Sequence, residues 1–541
     1  MSWDRGYYTD NTYTNHFYRE LAPNWIDFAL LVKGQQPPRP QEGAPFSYLE
    51  LGCGMGMGLC LLAATYPEGS FLGVDFQPDH VAHATWLASE MGLTNLRILE
   101  ADFIALQQDG SSLGLTTGQA GPFDYVVAHG IASWVVEPVQ QALLAIAAAA
   151  LKPGGAFYCS YNTYPGWLAL TAFRQLSELE RERHDPSMPE RAYRAAATTL
   201  NALLGEGRES TALGQMLPKL HFDLARLPWH EPNYLAQEYA SQGWAPLYVA
   251  EMHRRCRGHK LRFLASATLP ELFDEFLIEN LRSAVLPETN PEIRQTLLDL
   301  ATNKSFRRDV FLHGELKLLP QRLAAALAGV VVRLLEYPTL ESYLFPTSFG
   351  DIAGNNEAYT NLEDSLTEGP LSLAQLQQVT RLPEQELLRM VALLLHVQRL
   401  GLDRGEAGRR ASSSCGKVNA TLVGLIQEGA AISHLAAPAI GSAIGFSRLE
   451  ALTLEAQSGG LSVPNAAACV LMGLSALGQE LRDEAGKLLK DPVESQRRLE
   501  EIGSRLRHQR LPQLSSLGVF PTETATTEES QGSRKRRIIE P

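Results

Sequence analysis

Residues 48–58 read Tyr-Leu-Glu-Leu-Gly-Cys-Gly-Met-Gly-Met-Gly, and Asp75 closes the next apolar run. An apolar strand that enters a glycine-rich turn, opens a helix and is followed by a strand ending in an acid predicts a parallel α/β unit. That unit suits an adenosine-containing cofactor: glycines let the backbone approach the ligand, and the acid accepts hydrogen bonds from ribose hydroxyls. The dinucleotide form of the motif needs a third glycine at position 57 or 59, where Met57 and Leu59 stand. The loop fits acid-x-Gly-x-Gly-x-Gly instead, with Glu50, Gly52, Gly54 and Gly56 around Cys53.

On these residues the loop is similar to motif I of class I S-adenosylmethionine-dependent methyltransferases. The resemblance implies that the loop holds the methionine part of S-adenosyl-L-methionine and that Asp75 and Phe76 serve the ribose side. It also implies that Asp102 faces the adenine amino group and Phe103 covers the ring.

The rest of the order agrees. Strands are expected at Ser70–Val74, Leu96–Leu99, Phe123–Ala128 and Ala156–Ser160. Helices are expected at Pro78–Met91 and Pro138–Leu151, with 152–155 as a turn. Strand and helix alternating in this way predict a doubly wound, Rossmann-like parallel sheet. The chain is too long for one domain. The boundaries read as follows: an N-terminal arm and linker (1–46), a cofactor-binding methyltransferase core (47–170), a helical insertion or lid (171–210), a smaller α+β regulatory domain (211–300), a helical region with a winged-helix-like module (301–415), a C-terminal helical domain (416–520) and a disordered tail (521–541).

Net charge is −13, and the first 170 residues carry 6 Lys and Arg against 15 Asp and Glu. A nucleic-acid binder needs a basic face, so no nucleic-acid partner is expected. Six scattered cysteines with no Cys-x-x-Cys pair point to a reducing compartment. No signal sequence or spanning segment is evident, and a cytoplasmic protein without membrane insertion is expected. His253, Cys256 and His259 are spaced as ligands on one helix face, yet a full ligand set is not visible; no metal is expected.

Loops at the carboxyl ends of parallel strands rim the ligand site. Two qualify here: His129-Gly-Ile-Ala-Ser-Trp134 and Ser160-Tyr-Asn-Thr-Tyr-Pro-Gly-Trp167. They nominate His129 and Gly130 for the cofactor, Tyr161, Tyr164 and His129 for catalysis, and Trp134, Asn162, Tyr164 and Trp167 for the acceptor, to which the N-terminal arm adds His16. Aromatic rims guide an ammonium stem by cation–π contact; they also serve as plain packing. Together with the 233–268 block, these segments resemble methyltransferases carrying a methyltransferase regulatory domain, including the rickettsial protein-lysine methyltransferases. That resemblance implies methyl transfer to a protein lysine. A small-molecule or lipid-linked acceptor and a catalytically silent cofactor-binding scaffold stay open. The pattern departs from the family at Ala132, where many relatives have Tyr, and at Thr14-Asn-His-Phe17, where the arm often reads Thr-His-Pro.

Overall fold

The computed structural model describes residues 3–10, 15–39, 41–116, 118–184, 188–205, 211–229, 232–335, 342–482 and 488–520. The tail expected at 521–541 lies outside them. Seven strands form the central sheet: β1 (Phe46–Leu51), β2 (Gly69–Asp75), β3 (Leu96–Glu100), β4 (Phe123–Ala128), β5 (Leu151–Asn162), β6 (Arg262–Ser266) and β7 (Phe306–Leu312). Their order is β3-β2-β1-β4-β5-β7-β6. The first five are parallel, and β7 runs antiparallel to both β5 and β6. The order reverses beside β1, between β2 and β4, so a crevice opens over the carboxyl end of β1, where the glycine loop sits.

Two sequence expectations change. The 211–300 segment does not close a sheet of its own. Its strand β6 is the edge of the main sheet, joined through β7 beyond residue 300. Strand β7 is hard to read because Phe-Arg-Arg-Asp-Val-Phe-Leu carries three charges. Inside the fold Arg307 donates to Asp309 at 3.0 Å and to Asp299 at 2.5 Å, so a buried charge network replaces alternation. The turn expected at 152–155 is also absent: β5 starts at Leu151, and its register with β4 slips between Phe123 and Tyr125.

The helix after the glycine loop, Met57–Thr65, has eight of nine residues buried. A helix that is apolar all round must be covered all round. The sheet covers one side. The C-terminal region covers the other, with the long helix Gly405–Glu428 and the hairpin His434–Ala437/Ser442–Gly445. Cys415 Sγ reaches the Ala64 carbonyl at 3.1 Å. The fully buried Arg404 side chain pairs with Glu42 and Glu68, donates to the Thr65 carbonyl, and lies 3.9 Å over the Tyr66 ring. One hydrophobic core therefore runs from this helix to Val519. Within the 301–415 region lie the helices Leu373–Thr380 and Glu384–His396, beside three short antiparallel strands at 331–334, 371–372 and 400–402.

Among the described residues no helix is long and apolar enough to cross a membrane.

Candidate active site

The loop glycines answer to geometry. Gly52 and Gly56 both have φ of +78°, and a Cβ at position 56 would lie 2.5 Å from the Ala84 Cβ. The Gly54 amide donates to Asp75 Oδ2 at 2.8 Å. Asp75 Oδ1 accepts from the Gln77 amide at 3.0 Å and lies 3.3 Å from His80 Nδ1. The acid at the end of β2 thus holds the loop in shape from beneath, and it also lines the cavity above.

That cavity has a volume of about 440 Å³. Glu50, Gly52, Cys53, Gly54, Gly56 and Asp75 line one end, and His16, His129, Gly130, Trp134, Asn162 and Trp167 line it farther on. A smaller cavity of about 50 Å³ adjoins it, lined by Asp75, Phe76, Asp102 and Phe103 among others. The sequence therefore nominated both ends of one continuous region. The arm folds over its smaller part. Trp3 and Tyr7 pack on Phe76, with centroids at 5.7 and 5.6 Å. Arg5 grips Asp102 through two bonds of 2.7 and 2.9 Å. Asp102 also caps the helix Phe103–Gln108 by accepting from the Ala105 amide. Sequence reasoning did not find the Arg5–Asp102 pair.

Electrostatics distinguish the carboxylates. Burial, with Asp75 nearby, pushes Glu50 up to about 8. Asp102 is held below the ordinary range by Arg5 and the helix amides, which outweigh its burial. His129 is pushed down to about 3 by burial and by the Arg308 cation, so it is neutral. Its ring stacks on Tyr18 at 3.7 Å, and its Nδ1 lies 3.0 Å from the Tyr158 hydroxyl. The next amide, Gly130, donates to Ser160 Oγ at 2.9 Å.

Two nominated tyrosines are corrected. Tyr161 alternates to the opposite face of the sheet from Ser160 and Asn162. Its hydroxyl is buried and donates to Asp309 at 2.6 Å, which raises its pKa well above the usual value. Tyr164 packs on Tyr248 at 5.2 Å and does not line the cavity. Ala132, where the family pattern departs, packs in the core under the sheet, away from the cavity wall. Cys256 is also buried in that core. His253 Nε2 lies 2.9 Å from Asp309, and its ring stacks on Phe263.

Several wall residues were missed. Tyr7 and Tyr18 come from the arm, Glu238 from the helix Pro232–Tyr239, and Phe306 and Arg308 from β7. Glu238 is buried and pushed up to about 8, and its Oε1 accepts from Asn162 Nδ2 at 2.9 Å. Each residue is ordinary in its own stretch of sequence; only the fold brings them together.

Sheet order, glycine loop and the acid after β2 define a class I methyltransferase fold. Residues 44–202 match the family model "Methyltransferase domain", and residues 231–313 match "Predicted methyltransferase regulatory domain". The chain belongs to the class I S-adenosylmethionine-dependent methyltransferases that carry this regulatory domain. It is 28% identical over 527 residues to an uncharacterised protein of Synechocystis sp., covering 96% of this chain and 100% of that one. It is 32% identical over 180 residues to an uncharacterised protein of Rickettsia prowazekii, covering 33% of this chain and 67% of the relative. In fold it is similar to the solved structure of PKMT2 from Rickettsia typhi in complex with AdoHcy. The TM-score is 0.64 at 17% identity, with 93% of this chain and 99% of that chain covered.

Proposed function

We propose that the chain transfers methyl groups from S-adenosyl-L-methionine to the side-chain nitrogen of a protein lysine. The observation that carries this reading is the cavity itself. It runs without a break from the glycine loop to an aromatic wall with a buried carboxylate. The residues at the loop end fit the cofactor. Glu50 has no cationic partner among the described residues. Asn15 Oδ1 is buried at the same wall without a hydrogen-bond partner. An acid and an orphaned acceptor at one wall suit the ammonium of an α-amino acid group.

In this reading Gly52–Gly56, Glu50 and Asn15 hold the methionine part. Asp75 takes the ribose, and Phe76, Phe103 and Asp102 enclose the adenine under the clasp of Arg5. Bound there, the cofactor supplies a methyl group on a sulfonium leaving group. The chain's own task is to orient and to exclude water. Trp134 and Trp167 flank the far end, and Trp167 is fixed by donating to the Ser305 carbonyl at 2.7 Å. Such faces strip water from an ammonium stem while attracting its charge. Neutral His129, stacked on Tyr18, adds no competing positive charge beside the acceptor. The relative's name, PKMT2, and the AdoHcy it carries support the lysine and cofactor assignments.

The test is transfer of labelled methyl from the cofactor to protein in a cell extract. Mass spectrometry of the labelled band should find N-methyl-lysine. Label confined to small molecules or lipid, or methyl on another side chain, would refute the acceptor.

A further inference from the structure

Among the described residues lining the cavity, Glu238 is the one acid besides Glu50 and Asp75. It is 7% exposed, and among the described residues no Lys, Arg or His pairs with it. It accepts from Asn162 Nδ2 at 2.9 Å, with the Trp244 indole also beside it, and the Asn162 backbone N–H donates to Ser133 Oγ at 2.7 Å. The carboxyl is therefore held from below and open toward the cavity. Burying a carboxylate against tryptophan and tyrosine without a counter-charge is costly. Glu50 meets the same cost at the other end, where the cofactor's ammonium would relieve it. Resting on the methyltransferase reading, we propose that Glu238 is the catalytic base: it draws the acceptor amine in as a cation and takes its proton.

The step balances. A lysine ammonium, with an ordinary pKa near 10.4, gives one proton to the Glu238 carboxylate and leaves a neutral amine and a carboxylic acid. The nitrogen lone pair then forms the N–C bond as the S–C bond breaks, and that electron pair stays on sulfur. The product is a methylated ammonium, so one positive charge moves from sulfur to nitrogen. The empty site favours the protonated acid, because burial pushes it up to about 8. A bound cation favours the charged form of Glu238, while burial, which raises an acid and lowers an amine, brings the two groups' affinities for one proton closer. The titratable groups facing it are Tyr7 and Tyr18 from the arm and Tyr239 on its own helix, with His16, His129 and Arg308 across the cavity. Burial raises the three tyrosines, and Glu238's own charge adds to each, so none competes as a base near neutrality.

The test uses the full chain saturated with AdoHcy. n-Butylammonium and its uncharged counterpart n-butanol are titrated separately, followed by tryptophan fluorescence. The wild type should prefer the cation by about tenfold, the scale of one close charge pair. Glu238→Gln, which keeps the shape and the Asn162 contact, should lose that preference while AdoHcy affinity stays within about twofold. It should also cut labelled transfer by roughly 100-fold and remove the acidic limb of the pH–rate profile. Glu238→Asp keeps the charge and should keep the preference for the cation while transfer falls. An equal preference in Glu238→Gln, or none in the wild type, overturns the proposal. Loss of AdoHcy binding in the wild type would instead sink the methyltransferase reading beneath it.

Discussion

At its loop end the cavity is built mainly from one stretch, Glu50 and Gly52–Gly58, with the carboxylate of Asp75 and Asn15 of the arm. At its aromatic end it is built from Tyr7, Tyr18, His129, Trp134, Asn162, Trp167, Glu238 and Arg308, which come from the arm, two strand ends, a helix and β7. The first end is a local device whose backbone conformation admits little but glycine. The second is assembled by tertiary contact, so its side chains vary without breaking the fold.

Asp75→Ala attacks the local end. Removing the acceptor of the Gly54 amide frees the loop and strips the ribose side. AdoHcy affinity measured by calorimetry should fall by roughly 100-fold or more. A variant that binds within fivefold of wild type would break the contrast.

Arg404→Ala tests how firmly the C-terminal region holds that same end. The arginine is wholly buried between Glu42, Glu68 and the end of the cofactor helix. Denaturant unfolding should lose about 3 kcal/mol, with AdoHcy affinity falling alongside. A loss of stability with intact binding would show that the C-terminal cover is structural only.

The two raised carboxyls link the ends through pH. Folded Glu50 and Glu238 each hold a proton up to about 8, whereas the unfolded chain releases it near the ordinary carboxyl range. The folded state then binds more protons, so stability falls as pH rises from about 5 to about 8. Asp309 works oppositely. Arg307 and His253 hold it below its ordinary range despite burial, so its contribution is present at neutrality and is lost on acidification. Thermal unfolding of the cofactor-free protein should show both limbs. The Glu50→Gln, Glu238→Gln double variant should flatten the upper limb and leave the acid limb.

Arg5→Ala removes the clasp on Asp102. Both side chains are partly exposed, so AdoHcy affinity should weaken by no more than about fivefold. Tyr161→Phe is the smallest effect. It should cost about 1 kcal/mol through the lost bond to Asp309 and leave the transfer rate within about twofold. A large rate loss would return Tyr161 to the site.

Legibility follows the same division. The loop, Asp75 and the order of the first five strands can be read because each is set by neighbours in sequence. Strand β7 resists because Arg307 and Asp309 neutralise each other only once Asp299 and His253 are beside them. Tyr161 misleads because adjacent strand residues face opposite sides, and motif position does not say which. Glu238 lies in the 233–268 block that carries the family resemblance, yet its burial and its contact with Asn162 exist only in three dimensions.

The most direct test is a calorimetric titration of AdoHcy into the full-length chain and its Asp75→Ala and Glu238→Gln variants. One site per chain that vanishes with Asp75→Ala and survives Glu238→Gln is the expected result. No heat of binding with the wild-type protein, or a site indifferent to Asp75, would contradict it.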